Sequence, residues 1–128
     1  IMALGKIKAD TLEHSTAGTV DTQFVVNGSA KHFAVFDGTG TAAVDTSLNN
    51  SSLTDGGTGT YTLAVTNAFS SIHFAVTGGT TGNNEAFTYI ATSGSAKTAS
   101  AVSFKNYQYD GGVHDTDTID IVSHGDLA

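Results

Sequence analysis

Residues 31–41 read KHFAVFDGTGT and residues 51–65 read SSLTDGGTGTYTLAV. In the second run Tyr61, Leu63 and Val65 alternate with Thr60, Thr62 and Ala64, the period of two that a half-buried strand imposes. In the first, Phe33 and Val35 share one side while His32, Ala34 and Phe36 share the other. A strand with apolar residues on both faces belongs in the middle of a sandwich or at a subunit contact. Each run adjoins a glycine-threonine turn, Asp37-Gly38-Thr39-Gly40 and Gly56-Gly57-Thr58-Gly59, where Gly supplies the positive φ that tight antiparallel corners need. Strand, turn, strand is the plain reading.

Working outward, Ile72-Phe74-Val76, Phe87-Tyr89-Ala91, Val102-Phe104-Asn106 and Ile119-Ile121 repeat the alternation, with Gly78-Gly79 and Gly82-Asn83-Asn84 read as a hairpin loop. Residues 41–52 are ambiguous. Ala42-Ala43 and Leu48 permit one helical turn, while Thr, Asn and Ser compete with the helix backbone. Upstream, residues 5–12 alternate weakly, 13–21 are polar and turn-rich, and Phe24-Val25-Val26 reads as a short buried run. About seven or more short strands at a spacing near ten residues predict an all-β antiparallel β-sandwich over 31–128. Residues 1–30 form a short N-terminal arm with one or two strands, or else the first strands of the same domain.

The 128 residues amount to one domain. Fifteen Gly, no Pro, no Trp and only 13% charged residues leave little from which to build exposed helices. Without Cys, neither disulfides nor a thiolate metal site holds the fold, which suits assembly in a reducing cytoplasm. Five Lys against twelve Asp and Glu give a net charge of −7, which repels a duplex or an anionic membrane and argues against nucleic-acid binding. No apolar run reaches the roughly 18 residues of a membrane span, and the start lacks the order of a signal peptide. The expectation is a soluble protein not secreted by the common route.

Stretches that carry chemistry are few. Gly38-Thr39-Gly40-Thr41-Ala42-Ala43 fits a loose dinucleotide fingerprint, but no helix is predicted to follow it, so a hairpin turn is the better reading. In residues 110–120, Asp110, Asp115, Asp117 and Asp120 gather near His114, yet the spacing is not that of an EF-hand loop or an RTX nonapeptide and reads as a solvated acidic surface. The five His form no metal motif, and His32 and His73 at strand positions read as satisfied interior or interface polar residues. No nucleophilic-serine turn and no carboxylate pair in recognisable context is present, so a catalytic site, a cofactor and a bound metal are not expected. Tyr107 and Tyr109 flank Gln108 beside the acidic loop, and exposed tyrosines on a rigid sheet stack well on sugars. Tyr107, Tyr109, Asp110 and His114 are the candidate surface-contact residues.

Lys31, Phe36, Gly38-Thr39-Gly40-Thr41, Ser47, Asn49, Ser51-Ser52, Thr54-Asp55, Gly57-Thr58-Gly59 and Tyr61-Thr62 follow a recognisable pattern. It resembles a domain that recurs in tail-fibre-like and other virion surface proteins of marine bacteriophages, in particular those of cyanobacteria and related hosts. This chain has Phe33 where that pattern has Trp, and Asp37 and Gly56 where it has Asn. The resemblance implies a virion component and not an enzyme, assembled in the host cytoplasm, exposed on the virion surface and commonly trimeric. Three functions follow as expectations. The first is a tail-fibre or tail-tip protein binding host-surface glycans; the second is a capsid decoration or head-fibre protein seated on the shell through residues 1–30. A glycan-degrading enzyme comes last.

Overall fold

The computed structural model describes residues 8–81, 87–90 and 97–128, with the backbone alone described at 87–90. Among these, strands dominate, joined by one short helix and paired throughout in antiparallel sheets. A hairpin of β1 (Thr11–His14) and β2 (Gly18–Asp21) stands by itself and leads into α1 (Thr22–Gly28). The sandwich follows: β3 (Ala30–Asp37), β4 (Ala43–Leu48), β5 (Asn50–Asp55), β6 (Thr60–Val65), β7 (Ala75–Thr81), β8 (Phe87–Ile90), β9 (Lys97–Thr98), β10 (Ala101–Tyr107) and β11 (Thr118–His124). One sheet has the order β4-β3-β11-β7. The other has the order β5-β6-β10-β8, with β9 paired to β10.

The core is the product of the period-two pattern. Ala34 and Phe36 of β3 and Ile119 and Ile121 of β11 face Tyr61 and Leu63 of β6 and Val102 and Phe104 of β10, and all eight are buried. Phe36, Tyr61 and Phe104 form an aromatic triangle, the Phe36 and Tyr61 rings meeting edge to face at 5.1 Å. Truncating any of them to Ala removes about 3–5 kcal/mol. Residues 41–52, ambiguous in sequence, are β4 and β5. Between them Asn49 takes φ 57°, and the chain there passes from one sheet to the other. Its side chain donates to the carbonyls of Lys31 and Asn67, both at 3.0 Å, and accepts from the Asn67 amide at 2.7 Å, which offsets the strained backbone.

Four expectations need correction. Phe24-Val25-Val26 is not a buried run; it lies in α1, which buries nothing, because no face of the sandwich reaches it. Ile72 is half exposed and Phe74 precedes β7: Phe74 is buried by stacking on Phe69, ring centroids 4.0 Å apart, in a loop that closes the sandwich end. Gly78 and Gly79 belong to β7 and not to a hairpin loop; a Cβ at Gly79 would sit 3.0 Å from the Asp120 carboxylate across the sheet. His73 lies exposed in the loop before β7, not in a strand. Residues 82–84 and Ala91 lie outside the described residues.

Candidate surface-contact site

The end of the sandwich opposite the arm is built by three loops, 38–42, 56–59 and 108–117. Each begins with an aspartate that organises its own turn. Asp37 accepts the Thr39 amide and hydroxyl, both at 2.7 Å; Asp55 accepts the Gly57 amide at 2.8 Å; Asp110 accepts the Gly112 amide at 2.9 Å. The bonds from Thr39, side chain first and then backbone, hold the Asp37 carboxyl below its ordinary pKa. No helix starts at Gly38-Thr39-Gly40; Gly40 at φ 60° leads into β4. Three of the acids of this negatively charged chain therefore serve as turn punctuation.

Beneath the turns lies a clamp. Tyr61 is fully buried and its hydroxyl meets Asp115 Oδ1 at 2.6 Å and the Gly38 carbonyl at 3.0 Å. The same Asp115 oxygen accepts the Gly59 amide at 2.6 Å. The Thr116 carbonyl takes the Gly38 amide at 2.9 Å, and the Gly59 carbonyl takes the Asn106 amide at 2.8 Å. All three loops are thus tied to one another through Tyr61, Asp115 and backbone. Burial first, then the Asp115 carboxylate beside it, pushes the Tyr61 hydroxyl well above the ordinary tyrosine pKa, so it stays a donor. Gly59 has to be glycine: φ is 60°, and a Cβ would lie 2.6 Å from the His114 amide nitrogen.

The four residues singled out in the sequence do not form one cluster. Tyr109 is 78% exposed and Asp110 is exposed beside it, both on the turn closed by Gln108 and Gly112. Tyr107 lies half-buried at the end of β10, its backbone bridged to Val113. His114 is at the root of the loop, where its amide donates to the Asn106 carbonyl at 3.0 Å. The other acids of residues 110–120 are separated too: Asp115 points into the clamp, while Asp120 stands on the outer face of β11. Among the described residues no three His, Asp or Glu side chains converge as a metal site would require. What projects at this end is Tyr109, an aromatic face with a carboxylate neighbour on a rigid base.

Sequence reasoning missed the clamp and Asn106. Asn106 is buried at the end of β10 and donates to the His114 carbonyl at 2.9 Å and the Thr116 hydroxyl at 3.0 Å. Its Oδ1 and His114 Nδ1 are enclosed without a hydrogen-bond partner, a local cost on the order of 1–3 kcal/mol each. One signal was present: a tyrosine on the buried face of a strand needs a partner for its hydroxyl, which pointed to an acceptor in a neighbouring loop. No family model, curated protein or solved structure matches this chain.

Proposed function

We propose that the chain is a bacteriophage virion structural protein, a tail-fibre or tail-tip component whose loop end contacts glycans on the host surface. The observation that carries the reading is Tyr109, 78% exposed on a turn whose base is locked by the Tyr61–Asp115 clamp. Rigid, exposed aromatic groups stack on sugar rings at little entropic cost, and weak contacts of this kind gain strength when copies act together. The likeness of residues 31–62 to virion surface domains supports the same reading, and with it goes an assembly of three copies as part of the proposal. The arm fits attachment to the rest of the particle: Leu12, Val20, Phe24, Val25 and Val26 are exposed on it, and none of its described residues is buried. That arm equally suits a capsid decoration or head-fibre protein, the second reading. Neither reading makes the chain an enzyme.

The deciding experiment is reconstruction of the whole particle with density assigned to this chain. Density at the tail supports the first reading, density on the shell the second, and absence from purified particles sinks both. Glycan-array binding of the purified protein should be lost in Tyr109→Ala. Binding unchanged by that substitution would move the contact elsewhere.

A further inference from the structure

The two outer faces of the sandwich differ. On the sheet of β5, β6 and β10 the outward positions carry Thr54, Thr62 and Ser103 in one cross-strand row, Thr62 and Ser103 hydroxyls bonded at 2.8 Å, with Lys105 beyond them. On the other sheet the matching row is Leu48, Phe33 and Val122, paired in register across β4, β3 and β11, with Val35 in the next row. Leu48 is half exposed, and Phe33, Val35 and Val122 are only part-buried. Two of the charges on this sheet are held within the chain: Lys31 Nζ bonds the Val26 carbonyl and Asp37 is spent on Thr39, while Asp120 stands exposed beside Val35 in the next row.

We infer that this outer face, centred on Phe33, Leu48 and Val122, is where copies of the chain pack together, turned inward to the common axis of the homo-oligomer. The inference rests on the oligomer reading given above and says which surface makes it. Size fits: four strands about 4.8 Å apart and six to eight residues long give a face about 20 Å on a side, about 400 Å² in plan, which the relief of the side chains raises toward the ~800 Å² per partner of a stable interface. Charge fits as well. The chain carries −7 in all, so two copies repel over most approaches, whereas the row of Leu48, Phe33 and Val122 carries no charge, Asp120 flanking it beside Val35 and Asp45 lying on the edge strand β4. Strand addition at the β4 edge is hindered, because β4 carries a bulge beside Val35 and Phe36 with Asp45 in it.

The test compares three full-length proteins by sedimentation equilibrium: the unaltered chain, Leu48→Lys and Thr62→Lys. Leu48 is half exposed, so its substitution spares the fold, and circular dichroism of each variant verifies that. The unaltered chain and Thr62→Lys should sediment as the same oligomer, and Leu48→Lys should associate at least about tenfold more weakly, moving toward the 13.0 kDa of one chain. An oligomer that survives Leu48→Lys, or one broken by Thr62→Lys, overturns the assignment of the face while leaving the oligomer standing. An unaltered chain that is monomeric at micromolar concentration overturns the oligomer and this inference together.

Discussion

At the loop end, one buried tyrosine and one aspartate tie three loops to each other, and every turn satisfies its own aspartate. At the arm end the corresponding polar residue is His32, fully buried between the sheets, with Ser123 Oγ at 3.2 Å from Nδ1 and Asn50 Oδ1 at 3.3 Å from Nε2. An amide oxygen only accepts, so Nε2 carries the hydrogen, and because burial disfavours a second proton Nδ1 is left to accept from the Ser123 hydroxyl. That is a neutral imidazole. The loop end is therefore held by a negative charge with good donors, and the arm end by an uncharged group that burial penalises if it ionises. Loops that hold side chains in fixed positions gain from the first arrangement, and a junction to an arm that buries none of its described residues does not need it.

Outside the aromatic core, the largest effect should come from Gly59→Ala. A non-glycine residue at φ 60° costs about 1–2 kcal/mol, and the Cβ presses on backbone, which cannot swing away. The expected loss is about 3 kcal/mol or more, roughly 12 °C in melting temperature. Gly40→Ala is the control, since it shares φ 60° but has open space around it and should lose only the backbone cost. Equal losses in the two variants would show that the close approach of the 56–59 and 108–117 loops contributes nothing.

Next comes the clamp itself. Asp115→Ala leaves the Gly59 amide unpaired and forces the Tyr61 hydroxyl to rely on the Gly38 carbonyl, for a loss of about 2–3 kcal/mol. Tyr61→Phe keeps the Gly59 bond and should lose about 1–2 kcal/mol. Denaturant melts of both variants and of the pair give the coupling. A double variant whose loss equals the sum of the two would deny that they act as one unit.

The pH dependence separates the ends. Burial lowers the His32 pKa, and the Asn50 bond only partly opposes it, so as pH falls through about 6.5 the unfolded chain takes up the proton first. Stability present above that pH is lost below it. At the loop end the Asp37 pKa is depressed, so its small, solvent-screened contribution is present above about pH 4 and goes only below that. Tyr61 works in the opposite direction: its raised pKa gives stability that is full below about pH 10 and is lost at more alkaline pH. Calorimetry from pH 7 to 5 on the native chain and on His32→Gln checks the first window. A slope that persists unchanged in His32→Gln would assign it to another group.

How much of this the sequence revealed depended on how far each feature was fixed by neighbours along the chain. Alternation in 60–65, 101–107 and 118–122 identified Tyr61, Leu63, Val102, Phe104, Ile119 and Ile121 as inward, because a pleat repeats every two residues whatever lies across from it. The Asp-Gly turns were legible for the same reason. Phe74 was misplaced because its burial comes from Phe69, and β4 and β5 were ambiguous because edge strands bury little and show little pattern. Among the candidate contact residues, Tyr109 and Asp110 are at the tip, whereas His114, like its neighbour Asp115, is drawn inward, by Asn106 for the one and by Gly59 and Tyr61 for the other, partners up to 56 residues away. Such pairings leave no local trace.

The smallest effect on stability should come from removing residues 1–29. None of the described residues 8–29 is buried, and the links from this segment to the sandwich are peripheral: Lys31 Nζ to the Val26 carbonyl and His124 Nδ1 to the Gly28 carbonyl at 3.0 Å. A seven-residue helix and a two-stranded hairpin are each marginal alone. Their Phe24, Val25 and Val26 are exposed and contribute nothing to the sandwich core. The truncated chain should therefore melt within about 0.5 kcal/mol of the full chain and keep its oligomeric mass, since Leu48, Phe33 and Val122 remain. Incorporation into particles should be abolished. A truncated chain that loses the oligomer but still enters particles would exchange the roles of the two regions, making the arm the contact between copies and the sandwich the contact with the virion.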